Sequence, residues 1–325
     1  MVSKVKLDIS IAEYPHTEKI ISGEIQIEGV EPNFISVKPQ IGAYRRMVRN
    51  HEFDVCEIAP TTYIIARAYG APFVGLPIFL MRQFNHSALL VRPDAGIKVP
   101  KDLEGHKVGV RAYSVTTGVW LRAALIEDFG LDSSKVTWVV DDEEHVLELD
   151  LPPNVIHTQN GRTLSDMMAD GELIAAFAGN AGVGRTGAPT GGRWQVVETD
   201  YPPLFPSAAS VEQEYFQRTG IYPIHGMIVV KDAVLAEHPW VARSLFDAFT
   251  KAKVLWLEDF RSGTSSSKLN EKYRKLSKIV GPDPLPYGLA DNMPSIEALA
   301  RAADNQKMTP RRLKFSELFV DPERV

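Results

Sequence analysis

The chain has 325 residues, 44% of them hydrophobic and 24% charged, with a formal net charge of −5. That length exceeds one simple core and calls for two lobes of ordinary domain size. The acidic balance excludes an electrostatic footprint for nucleic acid or an anionic membrane, so the expected partner is a small molecule, for which a local basic pocket is still compatible.

Lys6 to Ala12 alternates apolar and polar residues and predicts a first strand, followed by the loop Glu13-Tyr14-Pro15-His16-Thr17. Asn33 to Lys38 predicts a second strand. From Ile41 to Arg49 the apolar Ile41, Tyr44, Met47 and Val48 fall at helical spacing, which puts Arg45, Arg46 and Arg49 on the solvated side. Phe53 to Ile58 is the next strand. It carries Cys56, the sole cysteine, which rules out an intrachain disulfide and a cysteine-based zinc cluster and reads as a core thiol. Ala59-Pro60-Thr61-Thr62 turns into a helix, with Thr61 or Thr62 as its cap. Phe73 to Leu80 is a continuous apolar run of buried-strand type. This alternation implies a parallel sheet with helices on both faces.

The segment Arg82 to Gly118 reads as the crossing between lobes. Ala88 to Val91 is a β-like run, Asp102-Leu103-Glu104-Gly105 a polar turn, and Val108-Gly109-Val110 the start of a new strand. Thr116 to Phe129 is helical, Val136 to Val140 a strand, Thr163 to Ala169 a short helix, and Gly171 to Phe177 the entry to another buried strand. Trp194 to Glu198 closes the pattern of this lobe. Asp141 to Asn160, acidic and broken by Pro152-Pro153, reads as an irregular insertion with a solvated charge run. Pro202 to Pro206 is a stiff connector, Ile221 to Val230 a loop entering a strand of the first lobe, and Pro239 to Glu258 a long helix. After a polar link, Ser262 to Ser267, the rest is helical apart from Asp283 to Gly288. The expected lobes are therefore residues 1–100 with 222–325, and 101–221.

The eight histidines show no metal-binding pair at helical spacing, Gly179-Asn180-Ala181-Gly182-Val183-Gly184 comes too late for a dinucleotide fingerprint, and no Gly-X-Ser-X-Gly elbow is present. What stands out is polar residues at strand ends, where open α/β sheets bind ligands. Arg82 and His86 follow a buried strand; His16 and His225 occupy similar loops. Tyr14, Thr61, Thr62, Tyr113, Thr116, Thr117 and Asn180 add hydroxyl and amide groups, and Arg185 is a second candidate anion clamp. Taken singly, such residues are more often structural, and it is their shared position that makes them candidates.

Glu13-Tyr14, His51-Glu52-Phe53-Asp54-Val55, Pro72-Phe73-Val74, Arg82-Gln83-Phe84-Asn85-His86-Ser87, Asp94-Ala95-Gly96-Ile97, Gly220-Ile221-Tyr222-Pro223-Ile224, His238-Pro239-Trp240-Val241-Ala242 and Pro286-Tyr287-Gly288 extend over nearly the whole chain. Through them the chain resembles the 4,5-dihydroxyphthalate decarboxylase family, on the type II periplasmic-binding-protein-like fold. Arg82 to Ser87 is the most specific segment. Two places depart from the family pattern: the first loop has Pro15-His16 after Tyr14 where the family has Asp-Arg, and His225 falls one place earlier than its counterpart.

The resemblance implies two lobes, each a mainly parallel sheet flanked by helices, with a ligand cleft between them. It also implies decarboxylation of an electron-rich aromatic carboxylate without a cofactor or metal. In that scheme Arg82 clamps the carboxylate, His86 is the general acid, and His225 or Glu13 orients or deprotonates the phenol. The same fold also serves solute-binding or sensor proteins for organic acids, and a pyrimidine-precursor enzyme of thiamine synthesis. No histidine-rich or cysteine-rich tract matches the latter. A charge at the N-terminus where a signal peptide needs an apolar core leads to an expected cytoplasmic location, and homo-oligomerisation is left open.

Overall fold

Two sheets account for the alternation of strand and helix signals. The computed structural model describes residues 4–186, 195–263 and 267–324. In chain order, the elements up to the first β-rich crossing are β1 (Val5–Ser10), α1 (Glu18–Ile21), β2 (Val30–Phe34), α2 (Ile41–Asn50), β3 (Val55–Ile58), α3 (Pro60–Ala68) and β4 (Phe73–Arg82). Then come β5 (Leu89–Val91), β6 (Lys107–Gly109), α4 (Thr116–Phe129), β7 (Thr137–Val140), β8 (Val155–His157), α5 (Leu164–Ala169) and β9 (Ala175–Phe177). The ribbon β10 (Arg185–Thr186) and β11 (Gln195–Val196) leads to α6 (Ala208–Thr219), β12 (Ile224–Lys231), α7 (Asp232–Glu237) and α8 (Val241–Ser262). The last helices are α9 (Lys268–Val280), α10 (Met293–Asn305) and α11 (Phe315–Leu318). Chain contacts divide these into two units: Met1–Gln83 with Gly220–Glu297 and Leu313–Val325, and Phe84–Thr219 with Ala298–Arg312.

The sheet of the first unit has the order β2-β1-β3-β12-β4. β1 is parallel to β2 and β3, whereas β12 runs antiparallel between β3 and β4. β4 is an edge strand in that order, yet nearly all of it is buried, which is why its sequence is continuously apolar. The C-terminal segment covers it: Gly75 bridges to Phe319, and the Val320 amide donates to the Gly75 carbonyl at 3.0 Å. A Cβ at position 75 would lie 2.9 Å from the Leu318 carbonyl oxygen, so only glycine lets that cover approach.

The second unit has the order β5-β9-β6-β7-β8, parallel except for β5 against β9. Leu90, Val139, Leu164, Met168, Leu173 and Val183 pack together as core beside this sheet. Among the described residues, no helix is long and apolar enough to cross a membrane.

Several local expectations change. β2 starts three residues earlier than the pattern implies because it pairs with β1 from Val5↔Val30 to Ile9↔Phe34. Thr61 and Thr62 do not cap α3: Ala59 is the cap residue and Pro60 takes the first position, where its missing N–H costs nothing. Arg45 is buried rather than solvated, while Arg46 pairs with Glu52. Residues 84–100 lie in the second unit, because β5 bonds to β9; the connector after Tyr201 stays there too, the Leu204 amide donating to the Leu89 carbonyl at 2.8 Å. Asp141 to Asn160 contains an edge strand, β8, and buried carboxylates. Trp194 and residues 264–266 of the expected polar link lie outside the described residues.

Candidate active site

β1, β3 and β4 point their carboxyl ends to one edge of the first sheet, and antiparallel β12 begins at that edge. Glu13, Tyr14 and His16 follow β1, Thr61 and Thr62 follow β3, Arg82 ends β4, and His225 opens β12. The topology thus gathers these seven expected residues where ligands of open α/β sheets bind.

At the centre of this edge lies Glu57, fully buried in β3. It accepts from the Ala12 amide (2.9 Å), the Tyr14 hydroxyl (2.8 Å) and the Tyr44 hydroxyl (3.3 Å). Burial pushes its carboxyl above the ordinary range, and these donors pull in the opposite direction. The sequence signal for it is a charge flanked by apolar residues, Val55-Cys56-Glu57-Ile58, inside a buried strand. His16 stacks on Tyr14 with ring centroids 5.1 Å apart, and its Nε2 lies 3.0 Å from the Leu80 carbonyl. Burial lowers its pKa to about 3, so it is a neutral, structural imidazole. Glu13 is exposed and lines a cavity of about 490 Å³ with Ile9, Ile21, Phe34, Lys38 and Gln40.

Arg82 departs from its expected role as a carboxylate clamp. It is 1% exposed; Nη1 donates to the Tyr222 carbonyl at 2.6 Å and Nη2 to Asn292 Oδ1, so the fork is committed to the protein. The guanidinium also lies 5.1 Å from the Phe79 ring centre and 5.0 Å from that of Tyr222. Burial lowers its pKa to about 10, which leaves it charged at neutral pH.

His225 sits on a β-bulge: Ile224 pairs with Arg82 and Gly226 with Met81, leaving the histidine between them without a strand partner. Such an extra residue turns its side chain off the regular pleat. Its Nε2 is shielded from solvent and has no hydrogen-bond partner among the described residues. Burial, then the charges of Lys272 and Arg82, lower its pKa to about 3. Lys272, from α9, was not anticipated, because α9 reads as an ordinary amphipathic helix in which one more lysine carries no signal. It donates to Gln83 Oε1 at 2.6 Å.

The corresponding edge of the second unit is ionic. Arg111 pairs with Asp142 at 3.2 Å, both nearly buried, and its Nε donates to the Asn180 carbonyl at 2.9 Å. Arg185, expected as an anion clamp, pairs instead with Asp141. Glu144 accepts from the Tyr113 amide at 2.6 Å and from Ser114. Of the acidic run, Asp142 and Glu144 therefore tie down the loop before α4, and Glu143 faces solvent. Arg122 lies 4.1 Å from the Tyr113 ring centre and donates to Gln306 Oε1 at 2.8 Å. Thr116 is buried as the first residue of α4 and Thr117 is half-buried.

His86 belongs to this second unit. It is 3% exposed, with Phe205 and Tyr215 edge-on at 5.9 and 5.4 Å, and Nδ1 3.8 Å from Glu212. Burial lowers the imidazole to about 4 and raises Glu212 to about 7, so desolvation keeps the two from forming a charged pair in mild acid. Among the described residues, no group of three or more His, Cys, Asp or Glu side chains is placed to hold a metal ion.

A profile of the family described as "ABC transporter, phosphonate, periplasmic substrate-binding protein" matches residues 25–149. The chain is 30% identical over 332 residues to a 4,5-dihydroxyphthalate decarboxylase of Comamonas testosteroni, covering 98% of this chain and 97% of that relative. It is 35% identical over 189 residues to a protein of the same name from Pseudomonas putida, covering 56% of this chain and 73% of the relative. Among solved structures, the periplasmic aliphatic sulphonate binding protein SsuA from Escherichia coli matches with a TM-score of 0.56 at 14% identity, over 98% of this chain and 93% of that one. This last likeness establishes the α/β, two-lobed type II periplasmic-binding-protein-like fold and carries no information on the ligand.

Proposed function

Because the chain belongs to the 4,5-dihydroxyphthalate decarboxylase family, a family of carboxy-lyases, we propose that it decarboxylates 4,5-dihydroxyphthalate or a closely related hydroxylated aromatic acid. The observation that carries this reading is the near full-length match to the Comamonas relative.

In such a substrate each hydroxyl is para to a carbon bearing a carboxylate. Loss of the phenolic proton raises electron density on that carbon, and a proton delivered there makes it tetrahedral. The bond to the carboxylate then breaks, its electron pair restores the aromatic ring, and carbon dioxide leaves. The phenolic oxygen then takes its proton back, so that in sum one proton enters, one carbon dioxide departs, and the product is 3,4-dihydroxybenzoate. The ring supplies its own electrons, so no step calls for a redox partner.

We assign proton delivery to His225. Both rings have nitrogens without a hydrogen-bond partner among the described residues, but that of His86, the first candidate, is enclosed by Phe205, Tyr215 and Glu212, whereas His225 lies at the carboxyl edge of its sheet. His225 is neutral in the free protein, and an arriving dianion raises its proton affinity. Glu13, exposed at the same edge, accepts the phenolic proton. Arg82 is a positioning residue that ties the Tyr222 carbonyl to Asn292.

The test is a substrate panel. The purified protein should release carbon dioxide from 4,5-dihydroxyphthalate and none from phthalate, which lacks the hydroxyls. Thermal stabilisation by many aromatic acids with no turnover of any would favour a solute-binding protein instead.

A further inference from the structure

We propose that Lys272, held by Gln83, binds the carboxylate that the substrate keeps, so that it selects aromatic dicarboxylates and sets which ring carbon faces His225. This rests on the decarboxylase reading and names the feature of the substrate that the reading leaves open.

Lys272 is half-buried in an acidic protein, and among the described residues its ammonium donates to a neutral amide oxygen, Gln83 Oε1, at 2.6 Å. The other partly buried lysines of the same unit have carboxylates: Lys253 pairs with Asp283 at 2.7 Å and Lys231 with Asp54 at 3.0 Å. Desolvation lowers the Lys272 ammonium to about 8, so it stays charged at neutral pH at a cost that a bound anion would recover. Gln83 follows Arg82 in the chain and its amide donates to the Pro223 carbonyl at 3.3 Å, just before β12, and the charges of Lys272 and Arg82 both act on the His225 ring. No carboxylate is hydrogen-bonded to any of the three among the described residues. Basic groups from β4, β12 and α9 thus converge with no carboxylate hydrogen-bonded to them; Asp283, whose charge acts on Arg82, is itself paired with Lys253.

The chemistry of the proposed substrate fits this arrangement. Its two carboxylates sit on adjacent ring carbons, so an ammonium that grips one fixes the other carbon a single bond away. Gln83 keeps the ammonium directed without neutralising it. Lysine, a compact point charge, can follow the carboxylate as the ring settles against His225.

Phthalate and benzoate separate the claims, because neither carries the ring hydroxyl that the reaction needs and they differ in one carboxylate. Calorimetry on the full chain should show wild type binding phthalate more tightly than benzoate. Lys272→Met should lose phthalate affinity by about tenfold to a hundredfold, with benzoate nearly unchanged. Lys272→Arg should restore part of the loss, which a folding defect would not allow. With 4,5-dihydroxyphthalate, Lys272→Met should raise KM and lower kcat as well, because the ring is no longer held with the reacting carbon toward His225. Unchanged discrimination and KM in Lys272→Met overturn this subsite while the decarboxylase reading stands. Loss of phthalate binding in a protein that never releases carbon dioxide overturns the decarboxylase reading and leaves the dicarboxylate subsite.

Discussion

His225→Gln should lower kcat for decarboxylation by about 10²- to 10⁴-fold while leaving the affinity for phthalate within a few-fold. Glutamine keeps a polar side chain on the bulge between Ile224 and Gly226 but cannot give up a proton at any accessible pH. Binding should survive because the cationic groups of the edge, Arg82 and Lys272, are untouched. The same change at His86 is the necessary companion. That ring is packed against Phe205 and Tyr215, so His86→Gln should act on stability rather than on the chemical step. A His225→Gln enzyme with wild-type kcat, alongside a folded but inactive His86→Gln, would return the donor role to His86.

Asp142→Ala should destabilise the protein by about 3 kcal/mol, seen as a lower denaturation midpoint at unchanged slope. Asp142 and Arg111 are 5% and 3% exposed, and the carboxylate also accepts from the Glu143 amide at 2.9 Å. Burial already lowers the Arg111 pKa and Arg185 lowers it further, so removing Asp142 leaves a desolvated cation beside another one. Asp142→Asn keeps the shape and an acceptor and should lose less. A loss below about 1 kcal/mol for the alanine variant would mean that other contacts carry Arg111.

Much of the fold was legible because periodicity and breakers report backbone directly. α2 and α4 fall within a residue of their expected spans, and β4 was read from its unbroken apolar run. The insertion of antiparallel β12 between β3 and β4 was not legible, since strand order depends on contacts more than a hundred residues apart. Side-chain roles were harder. Arg82 was correctly placed at a strand end, but the sequence does not reveal that Tyr222 and Asn292 occupy its fork. The run Asp141 to Glu144 looked like a solvated surface because its arginine partners, Arg111 and Arg185, are distant in sequence. Lys272 and Glu57 became candidates only through burial: the same residues on a surface would mean nothing.

The most direct test of the account is turnover of 4,5-dihydroxyphthalate in deuterium oxide, with the product examined by mass spectrometry and proton NMR. The account predicts carbon dioxide and 3,4-dihydroxybenzoate carrying a single deuterium, on the carbon that lost its carboxylate. Recovery of unchanged substrate from a protein that nevertheless binds it, or a product without deuterium at that carbon, would contradict it.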